Sequence, residues 1–277
     1  MEFYPASLED PLSPGMELLI FSVIIAVFAT ALLFFFMTLI KRVRRLREEK
    51  EKSDYQNTVE NILFRYLFEE LSLQEAIEGS DFAKFQKYPL FKRVAIKAII
   101  SLHDNYSGSY SKKLQHFFEE SGLADYSVAK LESSRWPFIV EGIRYLSTLN
   151  HQTSYGRIAS RITHPHELVK TEVLLGLIKM RGIEEIMKFQ KSGLRLNDWI
   201  QSNILYTVKK HKIPAPQNLD LMLKSSNRTI VLLAVRLMDY YKQAEHYETL
   251  SAFFEVTRDT KLKREIAQVL KQTEFIS

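Results

Sequence analysis

The sequence predicts an all-α protein in which one membrane-spanning helix precedes an α-solenoid of about five to six helix pairs. Three observations support this prediction. An apolar run near the N-terminus is long enough to cross a bilayer, and apolar residues elsewhere recur every three or four positions. Beyond residue 122, a nine-residue helical pattern also returns about every 31 residues.

The apolar run covers residues 18–40 and contains no charged residue, no Pro and no Gly. As a helix it would extend about 35 Å, slightly more than the ~30 Å hydrocarbon layer of a bilayer. A cleavable signal peptide would have a basic start, a shorter core and a small-x-small end, whereas residues 1–17 hold four acids and no Lys or Arg. We therefore expect an uncleaved anchor.

Five bases follow the run within seven positions: Lys41, Arg42, Arg44, Arg45 and Arg47. Lys and Arg beside a span favour the cytoplasmic side, where they also meet anionic headgroups. We therefore expect a protein that crosses the inner (cytoplasmic) membrane once. Residues 1–17 would be extracytoplasmic and the C-terminal domain cytoplasmic. The bases would equally suit the solvated start of a long helix, and the two interpretations are compatible.

Charge and cysteine content exclude several classes of function. The acidic residues 1–40 and the basic residues 41–52 offset each other, so the other 225 residues carry the whole net charge of +5. This is a mild excess, unlike the concentrated basic face of a nucleic-acid-binding protein. With no Cys in the chain, disulfides, thiolate nucleophiles and thiolate metal sites are excluded.

Residues 41–78 are predicted to form a basic juxtamembrane and capping helix. Its C-terminal part carries an apolar stripe at helical spacing: Val59, Ile62, Leu63, Tyr66, Leu67 and Leu71. We expect this stripe to cover the end of the following domain. The alternative is that it pairs with a helix of another membrane protein.

Residues 79–277 form the predicted repeat domain. Pro89 is expected to start one helix, and a shorter helix should end at Gly122. The recurring helical pattern then begins at Phe138, Val169, Ile200, Val231 and Leu262. Its first, fifth and ninth residues should face inward, except that the fourth copy fits better one residue earlier, as Ile230, Ala234 and Met238. Predicted breakers or caps precede each copy: Pro137, Pro165 as the first helical residue, Asn197, Asn227 and Asp259.

Three segments carry a resemblance to a known family: FKRVA from Phe91, VKTEV from Val169 and LKREI from Leu262. They resemble the second helix of HEAT repeats over roughly residues 80–273. Other copies depart from that pattern, with Ile139, Gln201 and Leu232 at the usually basic position. The resemblance implies helix pairs whose second helices line a concave binding surface.

A second resemblance is to the HEAT-repeat membrane proteins of Bacteroidetes-type bacteria, which have one N-terminal span. The residues that carry it are Gly108, Leu114, Gly122, Leu123, Leu131, Trp136, Gly142, Ile143, Arg144 and Leu146. Members of that group are often encoded near a membrane glycosyltransferase. The resemblance therefore implies such an enzyme as a partner.

Candidate chemistry is sparse, and no cofactor, metal or catalytic site is predicted. There is no phosphate loop, nucleophile elbow or HExxH helix, and acid pairs such as Glu184-Glu185 suit solvated helix faces. Trp136 and Trp199 are expected to fill gaps between repeats. Seven bases on or beside the repeated helices could bind an acidic peptide or phosphate group: Arg135, Arg144, Lys170, Arg228, Arg236, Lys263 and Arg264.

The sequence thus favours a membrane-anchored, non-enzymatic scaffold that binds a protein partner. One alternative is a HEAT-like nucleic-acid-binding or base-repair protein. Another is an enzyme similar to the HEAT-like lyases of chromophore-bearing proteins, for which no residue can be nominated. The oligomeric state is left open.

Overall fold

The structure is a computed structural model that describes residues 14–69, 71–190, 193–217, 219–242 and 245–274. All regular secondary structure in these ranges is helical, which confirms the all-α prediction for this part of the chain. The chain divides into two units, Met1–Thr58 and Val59–Ser277. Most of the predicted extracytoplasmic segment, residues 1–13, lies outside the described residues.

The first unit is built on helix α1, which runs without interruption from Pro14 to Phe68 and continues into the second unit. Its residues 18–40 are exposed throughout, and α1 is long and apolar enough to span a membrane. The hydroxyls of Ser22 and Thr30 donate to the carbonyls of Leu19 and Val27, at 2.7 and 2.8 Å. These bonds satisfy the hydroxyl protons within the helix, as a lipid environment requires.

The second unit begins with the last turns of α1, where the predicted capping stripe is buried. Val59, Leu63 and Leu67 are each at most 2% exposed, and the ring of Tyr66 lies 5.4 Å from that of Phe117. The stripe therefore covers the helical domain, as predicted.

Six helices follow α1 in the first half of this unit: α2 Leu73–Ile77, α3 Phe82–Phe85, α4 Pro89–Asn105, α5 Ser109–Glu120, α6 Leu123–Leu131 and α7 Trp136–Thr148. Pro89 starts α4 as predicted, because its missing N–H costs nothing at a first helical position. Gly122 ends the α5 segment with φ +75°, a left-handed conformation that glycine adopts readily. The chain then enters α6, which the sequence pattern did not predict.

The second half contains α8 Tyr155–Ser160, α9 Glu167–Arg181, α10 Asp198–Lys210, α11 Leu219–Leu223, α12 Arg228–Tyr241, α13 Glu245–Val256 and α14 Thr260–Glu274. Short 3-10 helices occupy Gln152–Ser154, Arg161–Thr163 and Ile183–Phe189. We call α7, α9, α10, α12 and α14 the recurrent helices. They begin 31, 31, 30 and 32 residues apart, in agreement with the predicted period.

The core of this unit follows the recurrent helices. Helix α7 packs on α9, α9 on α10, and α12 on α14, and one buried cluster extends from Leu174 to Val269. The predicted inward positions are buried or half-buried with one exception, since Phe138 is 39% exposed and Ile139 beside it is 2% exposed. Phe138 instead covers the ammonium of Lys130, at 4.8 Å.

Three predicted caps are confirmed and one is wrong. Asn197, Asn227 and Asp259 accept hydrogen bonds from backbone N–H groups at the starts of their helices. Pro165 is not the first residue of α9, because that helix begins at Glu167. His166 is its cap, and the His166 Nδ1 accepts from the Leu168 N–H at 3.3 Å.

Candidate functional site

A cleft of about 410 Å³ lies within the second unit, where the start of α4 meets α6 and α7. Its lining residues are Pro89, Arg93, Tyr126, Ala129, Lys130, Ser133 and Phe138. The helical period explains this set. Pro89 and Arg93 are four residues apart on α4, and Tyr126, Ala129 and Lys130 share one face of α6.

Lys130 is the central charged group of the cleft and is only 8% exposed. Its Nζ donates to the Glu141 Oε2 at 2.6 Å and lies 4.8 Å from the ring centroids of both Tyr126 and Phe138. A buried ammonium is tolerated when a carboxylate and aromatic faces replace its water. The helical pattern of the sequence did not predict a role for Lys130, and its place between the apolar Ala129 and Leu131 is the one local sign of burial.

Glu141 links Lys130 to a second donor, because the Tyr145 hydroxyl donates to the Glu141 Oε1 at 2.5 Å. Burial acts to raise the pKa of Glu141. The hydrogen bonds from Lys130 and Tyr145, with the charges of Lys130 and Arg93, outweigh burial and lower that pKa. Burial and the bond to Glu141 raise the pKa of Tyr145, so the phenol remains a donor. The trio is fully hydrogen-bonded on the α6–α7 side of the cleft.

The rim of the cleft is positive. The Lys92 Nζ lies 5.3 Å from the ring centroid of Tyr126, a lining residue, and Arg93 lies in the lining itself. Among the described residues, no carboxylate forms an ion pair with Lys92 or Arg93. The cleft thus offers apolar and aromatic walls together with cations that are available to an anion.

Most of the seven predicted partner-binding bases lie elsewhere, in ion pairs. The Arg144 Nε is 2.8 Å from the Glu172 Oε2, and Lys170 bonds to Glu167 at 2.7 Å. Arg228 pairs with Asp259, the cap of the next recurrent helix. These contacts neutralise the bases.

Arg236 makes contacts with three polar side chains. It contacts Asp198 at 3.0 Å, Glu265 at 2.8 Å and the Gln201 Oε1 at 3.0 Å. Arg135 and Arg264 are exposed, and the Lys263 Nζ lies 5.2 Å from the ring centroid of Phe254. The structure therefore does not bring the seven bases together.

The membrane-flanking bases form a separate group on α1. Lys41, Arg42, Arg44, Arg45 and Arg47 are all exposed. The Arg45 Nε lies 3.4 Å from Glu49 one turn later, and both side chains are more than half exposed. An exposed ion pair of this kind is weak. Arg45 and the other four bases can therefore contact anionic lipid headgroups instead.

A second polar cluster joins the C-terminal ends of α4, α9 and α10. The Lys210 Nζ lies 3.0 Å from the Asp104 Oδ2, across 106 positions of sequence, and the His103 Nε2 lies 3.2 Å from the Gln115 Nε2. Burial lowers the pKa of His103 and of His211, and the charges of Lys179 and Lys210 add to the effect at His211. Burial also lowers the pKa of Lys179.

Two predictions about surface groups are wrong. Trp199 does not fill a gap between repeats, since it is 55% exposed. Trp136 is 38% exposed but does contact the next recurrent helix, because its ring stacks on that of His166, the cap of α9, with centroids 4.1 Å apart. Glu185 is not solvated but 6% exposed, and it bonds to the Tyr155 hydroxyl and to Lys188.

The chain matches no known protein family, no curated protein and no solved structure in the comparisons. The relation to HEAT-repeat proteins therefore stays a prediction.

Proposed function

We propose that this protein is a membrane-anchored, non-enzymatic adaptor whose helical domain, a HEAT-like solenoid, binds a protein partner at the cytoplasmic face of the inner membrane. Two observations carry the proposal: the apolar stretch of α1 is exposed along its whole length, and residues 59–277 form a separately packed helical unit. Exposed apolar surface of this length is stable in lipid and costly in water. Such a chain can hold a binding domain at a membrane.

The cleft beside Lys130 supports a binding role for the domain. Among the described residues, its lining contains no His and no carboxylate that could serve Ser133 as a base, and the Ser133 Oγ accepts from the Arg135 N–H at 3.1 Å. The ion pairs of Arg144, Arg228 and Arg236 weaken the nucleic-acid-binding alternative, because neutralised bases attract phosphate less. A membrane glycosyltransferase is the partner that the sequence resemblance suggests.

The test is affinity purification of the tagged full chain from its native membranes, after chemical crosslinking and in several mild detergents. We expect one protein to be enriched in near-stoichiometric amount and to be crosslinked to the helical domain. An unrelated single-pass protein with the same tag serves as the control. Recovery of the chain alone under all conditions, or the same proteins with the control, would overturn the proposal.

A further inference from the structure

The cleft beside Lys130 combines two properties that select a ligand. The rings of Tyr126 and Phe138 flank the buried Lys130, and Phe138 keeps 39% of its surface exposed although it is a large apolar side chain. The cleft has a volume of about 410 Å³, which is more than one aromatic side chain fills. An apolar or aromatic group of a ligand can therefore enter and cover these rings.

The charge of the cleft adds a second requirement. Glu141 already accepts from both Lys130 and Tyr145, so its charge is satisfied within the domain. Arg93 in the lining and Lys92 at the rim are half-buried and form no ion pair within 4 Å among the described residues, and the Arg93 charge acts on Glu141 at longer range. Half-buried cations interact with an incoming anion more strongly than exposed ones, because water screens them less.

We infer that this cleft binds a short peptide segment in which an acidic side chain lies next to a large aromatic or aliphatic one. The aromatic group packs against the exposed surface of Phe138 and the apolar side chains of Pro89 and Ala129, while the carboxylate pairs with Arg93 and Lys92. The inference rests on the proposed adaptor function and names the chemistry of the partner segment. A peptide fits better than nucleic acid because the lining is mainly apolar.

The test uses the full chain in detergent and two fluorescently labelled peptides: acetyl-Gly-Glu-Phe-Glu-Gly-amide and its counterpart with Gln in place of Glu. We expect the acidic peptide to bind at least about tenfold more tightly in dilute salt. Because exposed charges are screened, the difference should shrink as salt rises from about 0.05 M to about 0.5 M.

Three variants locate the binding. Arg93→Gln removes the lining cation and Phe138→Ala removes the exposed ring, so each should weaken binding of the acidic peptide about fivefold or more. Lys97→Gln is the matched control, since it removes one charge from an exposed position on the same helix, and it should leave affinity unchanged. Thermal unfolding of each variant verifies that the domain is intact.

Several outcomes would overturn the inference. These are equal binding of the two peptides, no binding of either, or losses in Lys97→Gln as large as in Arg93→Gln. Displacement of the peptide by a short oligouridylate at lower concentration than by unlabelled peptide would assign the cleft to nucleic acid. If Arg93→Gln unfolds, Phe138→Ala decides the question. A failed peptide assay with a successful membrane purification rejects this site alone, whereas a failed purification rejects the adaptor function.

Discussion

Gly142 on α7 faces the backbone carbonyl of Ser127 on α6 so closely that a β-carbon at Gly142 would lie 2.8 Å from that oxygen. The same β-carbon would lie 3.0 Å from the Lys130 Cβ. The two helices thus approach to a distance that only glycine permits. This approach also holds Lys130 beside Glu141, the residue before Gly142, and so shapes the cleft.

Gly142→Ala should lower the free energy of unfolding by about 1–3 kcal/mol, because the added methyl overlaps a backbone atom that cannot rotate away. Chemical denaturation of the full chain in detergent, followed by far-UV circular dichroism, measures the effect. Gly156→Ala is the matched control: nothing lies within 4 Å of its added β-carbon, and its φ is not positive. That variant should be neutral or slightly stabilised. Equal effects of the two changes would show that the α6–α7 approach is not tight.

Glu141→Gln should destabilise the domain by about 1–3 kcal/mol, because the buried Lys130 loses its carboxylate partner. Glu132→Gln breaks a different ion pair, with Arg161, in which Glu132 is 62% exposed. The second change should cost less than about 1 kcal/mol, since water replaces an exposed partner. Denaturation midpoints of the two variants give the comparison. A larger loss for Glu132→Gln would contradict the structural role of Lys130.

The main features of the fold could be predicted from single residues and their spacing. Pro89, Asn197 and Asn227 mark helix starts by local chemistry, and the 31-residue recurrence follows from apolar positions alone. The cleft could not be predicted in this way, because it depends on three helices that approach from different parts of the chain. The α6 helix was not predicted, because it begins directly after Gly122, where the sequence indicated the end of a helix.

The ion pairs on the surface of the domain could not be predicted either, because they too depend on how separate helices pack. A helical pattern shows that Arg144, Arg228 and Arg236 point away from the core, but it does not show what lies across from them. One partner of each lies 28 to 31 residues further along the chain, on or just before the next recurrent helix, as in the bond between Arg144 and Glu172. Arg236 also contacts Asp198 and Gln201 on the preceding one, α10. Such pairings depend on how the helices stack.

Acid should destabilise the helical domain in the range where histidine titrates. Burial lowers the pKa of His103 and His211 in the folded state from the ordinary value of 6.5. As the pH falls below about 6.5, the unfolded chain therefore takes up protons that the folded chain does not, and stability is lost. Above that range the contribution is fully present. Urea denaturation between about pH 8 and pH 5.5 measures the slope.

The double variant His103→Gln, His211→Gln should flatten this dependence. Both histidines lie near Asp104, and Lys179 and Lys210 also act on His211. Lys179 and Lys210 oppose a positive charge on the His211 ring, whereas Gln carries none at any pH. Identical slopes for the parent and the double variant would show that other groups govern the acid sensitivity.

The absence of cysteine from the chain permits a direct test of the predicted orientation. A single Ser7→Cys substitution places a thiol in the predicted extracytoplasmic segment, and Ser251→Cys places one at an exposed position of α13. We expect a membrane-impermeant maleimide to label Ser7→Cys in intact spheroplasts and to label Ser251→Cys only after lysis. The physical reason is the charge on the two flanks: five bases lie within residues 41–47 and four acids within residues 1–17, and basic flanks are retained in the cytoplasm. The reverse labelling would invert the topology and remove cytoplasmic partners from consideration, while labelling of both in intact spheroplasts would exclude a membrane-spanning α1.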